Sequence, residues 1–409
     1  MYPTISHFIY DITGNYIGLP IMTFGFWIAI AFLIGAWIIT LEFKRKEKEG
    51  KLMPFDKEHI EGDSIKVIDL INPIIFGFFL GFKGIESLLY YEDLVNNPQS
   101  FILSSRGNLI GGVLLSILFS SYRILEINKN KLLKPKIITK KIFPHELVGN
   151  IIMVAAISGI IGAKFFDILQ ADKTDDSISF LSHCKNQLFT YNHNTGQHEF
   201  MLGGLTFYGG LIFGTIAVLS YSYKYKINFR HLIDSFSPAL ILAYGIGRIG
   251  CQMSGDGCWG TQNNLIKPDF LSFLPDWMWS YNFPHNVNKD GVVINECNET
   301  LWNPYCYELP YNVWPTAFYE TIMSFIIFFV LWKIRKKITV SGVLFFIYLI
   351  LNGMERFLIE NLRDHDGLDK YDIFGGIYQA QIISFSLIII GLSGVLYYYK
   401  EKISNKFIK

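Results

Sequence analysis

The sequence predicts an all-α fold, that of a polytopic helical membrane protein with about nine transmembrane helices. Hydrophobic residues make up 51% of the 409 positions and charged residues only 17%, whereas about a quarter of the residues in soluble domains are charged. The apolar residues are concentrated in runs of about 20, the length that crosses a bilayer as a helix. The formal net charge is +1, so no nucleic-acid partner is predicted.

Nine apolar runs define the predicted spans. They cover residues 21–42, 70–91, 104–122, 147–168, 202–222, 233–252, 315–332, 339–358 and 375–398. The first 20 residues lack the basic region and the small-residue cleavage site of a secretory signal peptide, so we expect the first span to be retained. Residues 1–409 would then form a single integral membrane domain.

Lysine and arginine residues are distributed unequally between alternate loops. One set of loops holds 25 of them and the other set holds six. Because basic loops stay on the cytoplasmic side, we expect the N-terminus outside and the C-terminus inside. The long loops at 168–200 and 253–314 then face outward. The second is rich in Trp and Tyr, which is typical of a small folded cap or of an interfacial loop.

The five cysteines all map to the outward side or its membrane edge in this topology, which predicts an oxidising compartment. We expect Cys297 to pair with Cys306, whereas Cys251 and Cys258 either pair or remain separate thiols. The nine histidines show no metal-ligand spacing with cysteines or carboxylates, so neither a metal nor a cofactor is predicted.

A weak internal similarity relates two pairs of spans. A Gly-x-Lys tripeptide at 81–83 and a Gly-Gly pair at 111–112 are matched by the same patterns at 162–164 and 209–210. Small residues recur often at helix contacts in membrane proteins. The pattern therefore indicates either a duplication or a coincidence.

The densest polar motif lies where the sixth predicted span meets the following loop. Arg248 is accompanied there by glycines at positions 247, 250, 255, 257 and 260, and Asp256 follows it by eight residues. Approachable backbone N–H groups and a bidentate guanidinium indicate a phosphate site. The alternative is that Arg248 extends to lipid headgroups and that the glycines only permit close helix packing.

Ionisable residues also occur in the later spans, where they are candidates for function. Arg356, Glu360 and Arg363 are spaced i, i+4, i+7, so they are predicted to share one helix face. Glu320 lies in an apolar span and needs a cationic partner, for which these two arginines and Arg248 are the candidates. The alternative near residue 360 is a helix end that simply emerges into water.

Tyr208 stands between two Gly-Gly pairs at the start of the fifth predicted span. Its phenol could donate a hydrogen bond to a phosphate, or accept a proton if its pKa were lowered. An interfacial tyrosine without chemistry is the commoner explanation.

Together these motifs resemble those of the prolipoprotein diacylglyceryl transferase family. Residues 247–260 are similar to the family signature GRxGNFxNxExxG, residues 204–210 to GGLxxHGG, 315–320 to HPxxLYE, 356–363 to RFxxExxR, and 381–384 to GQxxS. The similarities keep the family order and cover most of the chain. The departures are Tyr208 in place of histidine, Cys251 and Ser254 in place of asparagines, and Asp256 in place of glutamate.

The resemblance implies a fold and a reaction. The family has seven spans, so residues 70–122 would be an inserted pair. The implied reaction transfers the diacylglyceryl group of phosphatidylglycerol to the lipobox cysteine in the signal peptide of a prolipoprotein. The implied location is the bacterial cell inner membrane, with a periplasmic N-terminus and a cytoplasmic C-terminus, and the partners would be these two substrates and the lipid bilayer.

The resemblance also implies a role for each site residue. The predicted catalytic residues are Tyr208, Asp256 and Arg363. Phosphatidylglycerol would be bound by Arg248, Arg356, Ser254 and Gly260. Supporting contacts would come from Glu320, Glu360 and Gln381.

Other functional classes remain open at this level. Buried charges in glycine-interrupted spans also describe a membrane transporter of a lipid or a small anionic solute. A catalytically inactive homologue is a further alternative, because several motif residues are substituted. A thiol redox enzyme is disfavoured, since Cys251 and Cys258 do not form a CxxC motif.

Overall fold

The computed structural model describes residues 1–133, 135–170, 184, 188–192, 197–200, 206–363 and 377–407. Most of the predicted outward loop at 168–200 therefore lies outside the described residues. The described chain is mostly helical and forms two compact units, one of Met1–Leu52 with Ile227–Lys409 and the other of Met53–Lys226.

Thirteen helices are described in chain order. They are α1 Ile5–Thr13, α2 Thr23–Lys48, α3 Val67–Leu89, α4 Tyr91–Asn96, α5 Pro98–Leu103, α6 Leu109–Lys129, α7 Val148–Gln170, α8 Phe207–Lys224, α9 Phe229–Ser254, α10 Glu299–Trp302, α11 Thr316–Ile334, α12 Val343–Glu360 and α13 Gln379–Phe407. Three antiparallel two-stranded sheets pair β1 Phe55–Glu61 with β2 Lys136–Ile142, β3 Phe189–Asn192 with β4 Gln197–Phe200, and β5 Val292–Val293 with β6 Tyr307–Glu308.

The prediction of a polytopic helical membrane protein is confirmed, but the count of nine spans is not. Among the described helices, seven are long and apolar enough to cross a membrane. Helices α8 and α12 occupy two of the predicted spans without being part of that set. Helix α8 ends in a run of Ser, Tyr and Lys, and α12 contains Glu355, Arg356 and Glu360. The two carboxylates of α12 are buried, so its polar groups face protein.

Helix α9 is the central helix of the first unit. It packs against α2, α11 and α12. Small residues allow these contacts: a Cβ atom added at Gly245 would lie 2.8 Å from Ser324 Cβ, and one at Gly250 would lie 2.9 Å from Trp27 Cβ. The segment of α9 that carries Arg248 is therefore held at close range between two neighbouring helices.

A polar cluster ties the helices of this unit together at the end opposite Arg248. Glu42 on α2 is 1% exposed and forms ion pairs with Arg45 Nη2 at 2.8 Å and with Arg335 Nε at 2.6 Å. Asp234 on α9 accepts backbone hydrogen bonds from Gly342 at 2.7 Å and Phe345 at 3.1 Å. The Asp234 carboxylate thereby satisfies free N–H groups at the start of α12.

Residues 253–314 contain a folded cap with its own small core. Phe283, Leu309 and Val313 are buried there, and Trp259 and Tyr281 pack against them. The cap also contains the β5–β6 pair and a disulfide bond between the two cysteines predicted to pair, Cys297 and Cys306. Of the two alternatives for this loop, the structure favours the folded cap.

Two histidines stack on one tryptophan at the edge of this cap. The rings of His7 and His285 lie 4.6 Å and 3.9 Å from the ring of Trp302, measured between centroids. His7 Nε2 contacts the Leu301 carbonyl oxygen at 3.1 Å, and Nδ1 contacts Thr4 Oγ1 at 2.7 Å. A ring that donates from Nε2 and accepts at Nδ1 is neutral, and burial lowers the pKa of both histidines.

Two helix pairs in the second unit pack through glycines in the same way. A Cβ atom added at Gly81 on α3 would lie 2.1 Å from the carbonyl oxygen of Gly111 on α6. One added at Gly209 on α8 would lie 2.3 Å from the carbonyl oxygen of Gly162 on α7. These are the glycines of the internal sequence similarity.

Equivalent hydrogen bonds accompany this packing. Asn108 N donates to the carbonyl oxygen of Phe82 at 2.9 Å, and Thr206 N donates to that of Ala163 at 3.2 Å. The two acceptors occupy equivalent positions, because Phe82 follows Gly81 and Ala163 follows Gly162. The two donors are also equivalent, because Asn108 lies three residues before Gly111 and Thr206 three residues before Gly209. The two helix pairs therefore share backbone contacts as well as sequence, which is consistent with a duplication and with recurrent small-residue packing. The insertion of residues 70–122 stays a prediction.

The stability of the cap should fall as the pH drops below about 6.5, the ordinary pKa of histidine. Burial lowers the pKa of His7 and His285 in the folded chain, so below that pH the unfolded chain binds more protons and the free energy of unfolding decreases. Thermal unfolding of the detergent-solubilised protein, followed by tryptophan fluorescence between about pH 8 and about pH 5, measures the slope. The double variant His7→Gln/His285→Gln should show a flatter slope, and an unchanged slope would contradict this assignment.

Candidate functional site

One buried carboxylate binds three arginines at the end of the first unit that carries the cap. Glu320, in the second turn of α11, is 1% exposed. Its Oε2 lies 2.5 Å from Arg248 Nε, and its Oε1 lies 2.9 Å from Arg356 Nη1 and 3.8 Å from Arg363 Nη1. All three candidate partners of Glu320 thus meet at one group.

Helix α12 supplies Arg356 together with a second carboxylate. Arg356 Nη2 lies 3.1 Å from Glu360 Oε2, one helical turn later. The expectation that Arg363 continues the same helix face is wrong, because α12 ends at Glu360. Arg363 reaches Glu320 from the turn beyond the helix.

Gly260 explains how the segment after α12 is positioned. Gly260 and Arg363 form an isolated antiparallel bridge, and Thr261 N donates to the Leu362 carbonyl oxygen at 2.9 Å. A Cβ atom added at Gly260 would lie 2.3 Å from that same oxygen. Only glycine allows this approach, so the structure gives Gly260 a role in positioning Arg363. Its predicted contact with phosphatidylglycerol stays a prediction.

Two further predicted residues lie at the end of α9 and in the turn that follows it. Ser254 is fully buried, and its Oγ lies 3.5 Å from the Cys251 carbonyl oxygen. Arg248 Nη1 lies 3.7 Å from Cys251 Sγ. Asp256 Oδ1 accepts a hydrogen bond from Cys258 N at 3.3 Å, so its observed hydrogen bond is to the backbone of the next turn and not to an arginine.

Two other predicted residues belong to helices other than α9, α11 and α12. Tyr208 is the second residue of α8, in the second unit, and its ring packs edge-on against Phe207 at 5.7 Å. The glycines at 203 and 204, which precede it in the motif, lie outside the described residues. Gln381 Oε1 accepts a hydrogen bond from Tyr378 N at 3.2 Å at the start of α13, which is a local contact at a helix end.

The structure adds two residues that the motifs did not single out. Glu355 precedes Arg356, is 3% exposed, and has no hydrogen-bond partner for either carboxylate oxygen within the described parts of the chain. The ring of Tyr244, one helical turn before Arg248, has its centroid 5.1 Å from the guanidinium carbon. The presence of a carboxylate inside a span is a sequence signal for Glu355, whereas the position of Tyr244 follows from the packing of α9.

Three guanidinium groups share two buried carboxylates among mostly apolar helices. These features define the class of the protein, a polytopic helical membrane protein with a buried cluster of charged side chains. Residues 129–397 match the model of a family described as prolipoprotein diacylglyceryl transferase. The chain belongs to this family. Its substituted motif residues, from Tyr208 to Asp256, lie inside the matched region.

Individual relatives are similar at moderate identity. Proteins named phosphatidylglycerol--prolipoprotein diacylglyceryl transferase from Leptospira interrogans and Clostridium novyi are 27% identical over 232 residues and 30% identical over 204 residues. These matches cover 49% and 50% of this chain and 62% and 65% of the relatives. A protein of the same name from Clostridium botulinum is 29% identical over 243 residues, covering 59% of this chain and 77% of the relative. The chain thus spans less than two thirds of the length of the first two.

Removal of the Glu320 charge should destabilise the first unit. In Glu320→Gln three guanidinium groups would lose their shared counter-charge, and loss of one partner of a buried ion pair costs about 3–5 kcal/mol. The thermal unfolding midpoint in detergent measures the effect, and glycerol phosphate should restore part of it by supplying an anion.

The matched control for this change is Glu299→Gln, which removes the charge of an exposed glutamate in the cap. Its effect should stay within about 0.5 kcal/mol. Equal midpoints for the two variants would show that Glu320 does not hold the arginines together.

Proposed function

We propose that this protein transfers the diacylglyceryl group from phosphatidylglycerol to the lipobox cysteine of prolipoproteins, the first step of bacterial lipoprotein maturation. The observation that carries the proposal is the convergence of Arg248, Arg356 and Arg363 on Glu320. The relatives that are named for this activity support it, as does the family to which the chain belongs.

The charge of the cluster suits an anionic headgroup. Its ion pairs join three guanidinium groups to two carboxylates, Glu320 and Glu360, so these five groups carry one positive charge in excess. The carboxyl of Glu355, which is unpaired within the described residues, leaves this excess in place when it is protonated. Guanidinium groups bind phosphate oxygens bidentately, and they do so more strongly where water is excluded. The side chains of Arg248 and Arg363 are 13% and 20% exposed, which leaves part of each accessible to a ligand.

The reaction requires a thiolate and a stabilised leaving group. The lipobox thiol loses its proton, and the thiolate attacks the glyceryl carbon that carries the phosphate ester, because the thiolate and not the thiol is the nucleophile. A carbon–sulfur bond forms, the carbon–oxygen bond to the phosphate breaks, and glycerol phosphate leaves with the electron pair. Arg248 and Arg363 stabilise the charge that develops on this phosphate, and Arg356 holds the headgroup.

The remaining predicted residues take supporting roles in this proposal. Tyr208 accepts or relays the thiol proton. Asp256, in the turn after α9, is the second group assigned to this proton transfer. Ser254 and Gly260 shape the headgroup site, while Glu360 and Gln381 hold their helices in position. Both substrates reside in the bilayer, which fits a multi-pass protein of the bacterial inner membrane with a periplasmic N-terminus and a cytoplasmic C-terminus.

Replacement of Arg248 should abolish most of the activity without unfolding the protein. Loss of one preorganised charge-stabilising donor lowers the rate about a hundredfold to a thousandfold. The transfer rate of Arg248→Ala should therefore be lower than that of the unaltered chain by at least this factor. The measurement is complementation of a transferase-depleted bacterium, followed by the mass of a lipoprotein, which gains one diacylglyceryl group when the chain is active.

Arg335→Ala is the matched control, because Arg335 also forms a buried ion pair in the same unit, with Glu42 at the opposite end. It should lower stability and leave the mass gain intact. A normal mass gain with Arg248→Ala would remove the phosphate role from that residue. The absence of any gain with the unaltered chain would refute the proposed function itself.

Replacement of Tyr208 tests the proton transfer separately. General acid–base groups contribute about a hundredfold to ten-thousandfold, so Tyr208→Phe should reduce turnover by about that range and alter its pH profile. Tyr223→Phe, on the same helix at an 87% exposed position, should behave like the unaltered chain. Undiminished turnover of Tyr208→Phe would assign the proton to another group.

A further inference from the structure

The turn after α9 brings together three side chains that can bind a metal ion. The Sγ atoms of Cys251 and Cys258 and a carboxylate oxygen of Asp256 all lie within 4.8 Å of one another. Cys251 is buried, and the other two are partly buried. Ligand atoms around a zinc ion, at bond lengths of about 2.0–2.3 Å in a tetrahedron, are separated by distances that fall inside this limit.

Two glycines with left-handed backbone create this convergence. Gly255 has φ +64° and Gly257 has φ +86°, so the chain reverses on both sides of Asp256. A Cβ atom at Gly255 would lie 2.9 Å from Asn286 Cβ, and one at Gly257 would lie 2.8 Å from Asn288 Nδ2. The positive φ favours glycine at both positions, and space also requires it at Gly255, where the nearest atoms belong to the Asn286 Cβ and backbone. The tight turn returns the chain towards the last turn of α9.

Hydrogen bonds hold the ligands in place. Thr316 Oγ1, at the start of α11, donates to the Cys258 carbonyl oxygen at 2.7 Å. Asp256 Oδ1 accepts from Cys258 N, and the carboxylate has a second oxygen to offer a cation. Such contacts fix the orientation of metal ligands and strengthen metal binding.

The local charge is also suitable. Two thiolates and one carboxylate bring three negative charges to a divalent ion, so the loaded site would carry one negative charge. The Arg248 guanidinium pairs with Glu320 through Nε, and its Nη1 lies 3.7 Å from Cys251 Sγ, so it also places positive charge beside this thiolate. A cation at this position would therefore fix the orientation of Arg248 through Cys251.

We propose that Cys251, Asp256 and Cys258 form a binding site for one thiophilic divalent cation of the zinc type. The mixed sulfur and oxygen ligand set suits zinc, whereas calcium and magnesium take oxygen ligands only. Three protein ligands leave the fourth tetrahedral position to water or to an external thiol. The sequence expectation of no metal site rested on histidine spacing, and this site contains no histidine.

Cobalt(II) is a suitable probe, because zinc has a filled d shell and gives no d–d absorption. The full-length chain in detergent, reduced and freed of metal, is titrated with cobalt chloride. We expect one cobalt ion per chain, a thiolate-to-cobalt charge-transfer band, and loss of the band when zinc is added. The measurement uses neither lipid nor prolipoprotein, so its outcome is separate from the proposed transferase activity.

Variants identify the ligands. Cys251→Ser and Cys258→Ser should each lose at least half of the charge-transfer intensity, and Asp256→Asn should raise the cobalt concentration required for half-saturation. Cys184→Ser is the matched control, since Cys184 is a free cysteine of the second unit, and its band should be unchanged. Elution of each variant as a single symmetric peak on size exclusion shows that it remains folded.

Three results would overturn the proposal. The first is the absence of stoichiometric cobalt binding by the reduced chain. The second is a charge-transfer band that persists in folded Cys251→Ser and Cys258→Ser. The third is a disulfide bond between Cys251 and Cys258, found by non-reducing peptide mass mapping of the protein isolated from its native membrane.

Discussion

The Glu320 carboxylate is the constraint on which the site depends. Three arginines in a poorly solvated region repel one another, and each would be expensive to bury without a counter-charge. Glu320 contacts all of them, so α9, α11, α12 and the turn that follows α12 must keep a fixed register. The ion pairs that stabilise this end of the first unit therefore also hold the three guanidinium groups in fixed positions. Such preorganisation is what a phosphate site needs.

Close backbone approach makes this register possible. Gly245 and Gly250 let α9 lie against its neighbours, and Gly260 lets the segment of Arg363 pair with the start of the cap. A polar cluster around Glu42 holds the opposite helix ends. Ion pairs thus act at both ends of the bundle, with small residues between them. A side chain added at any of these glycines would push apart the helices or segments that meet there.

The two similar helix pairs of the second unit share their packing contacts but differ in one side chain. Both pairs share glycine contacts and backbone hydrogen bonds, but Ile110 precedes Gly111 in the α3–α6 pair where Tyr208 precedes Gly209 in the α7–α8 pair. The first pair keeps the contacts that stabilise a helical hairpin and lacks the phenol. Ile110 is 73% exposed and Tyr208 is 36% exposed, so the glycine contacts do not depend on burial of either side chain.

Local patterns in the sequence determined the membrane class, the approximate spans, the arginines and the need of Glu320 for a cationic partner, because apolar run length and the cost of buried charge are properties of short segments. Tertiary structure alone decided that three arginines share this one carboxylate, that α12 ends before Arg363, and that Cys251, Asp256 and Cys258 converge. The predicted count of nine spans was not confirmed, because seven of the described helices are long and apolar enough to cross a membrane. These features depend on helix crossing and on turns with positive φ, which bring distant residues together at distances that no periodicity along the chain reports.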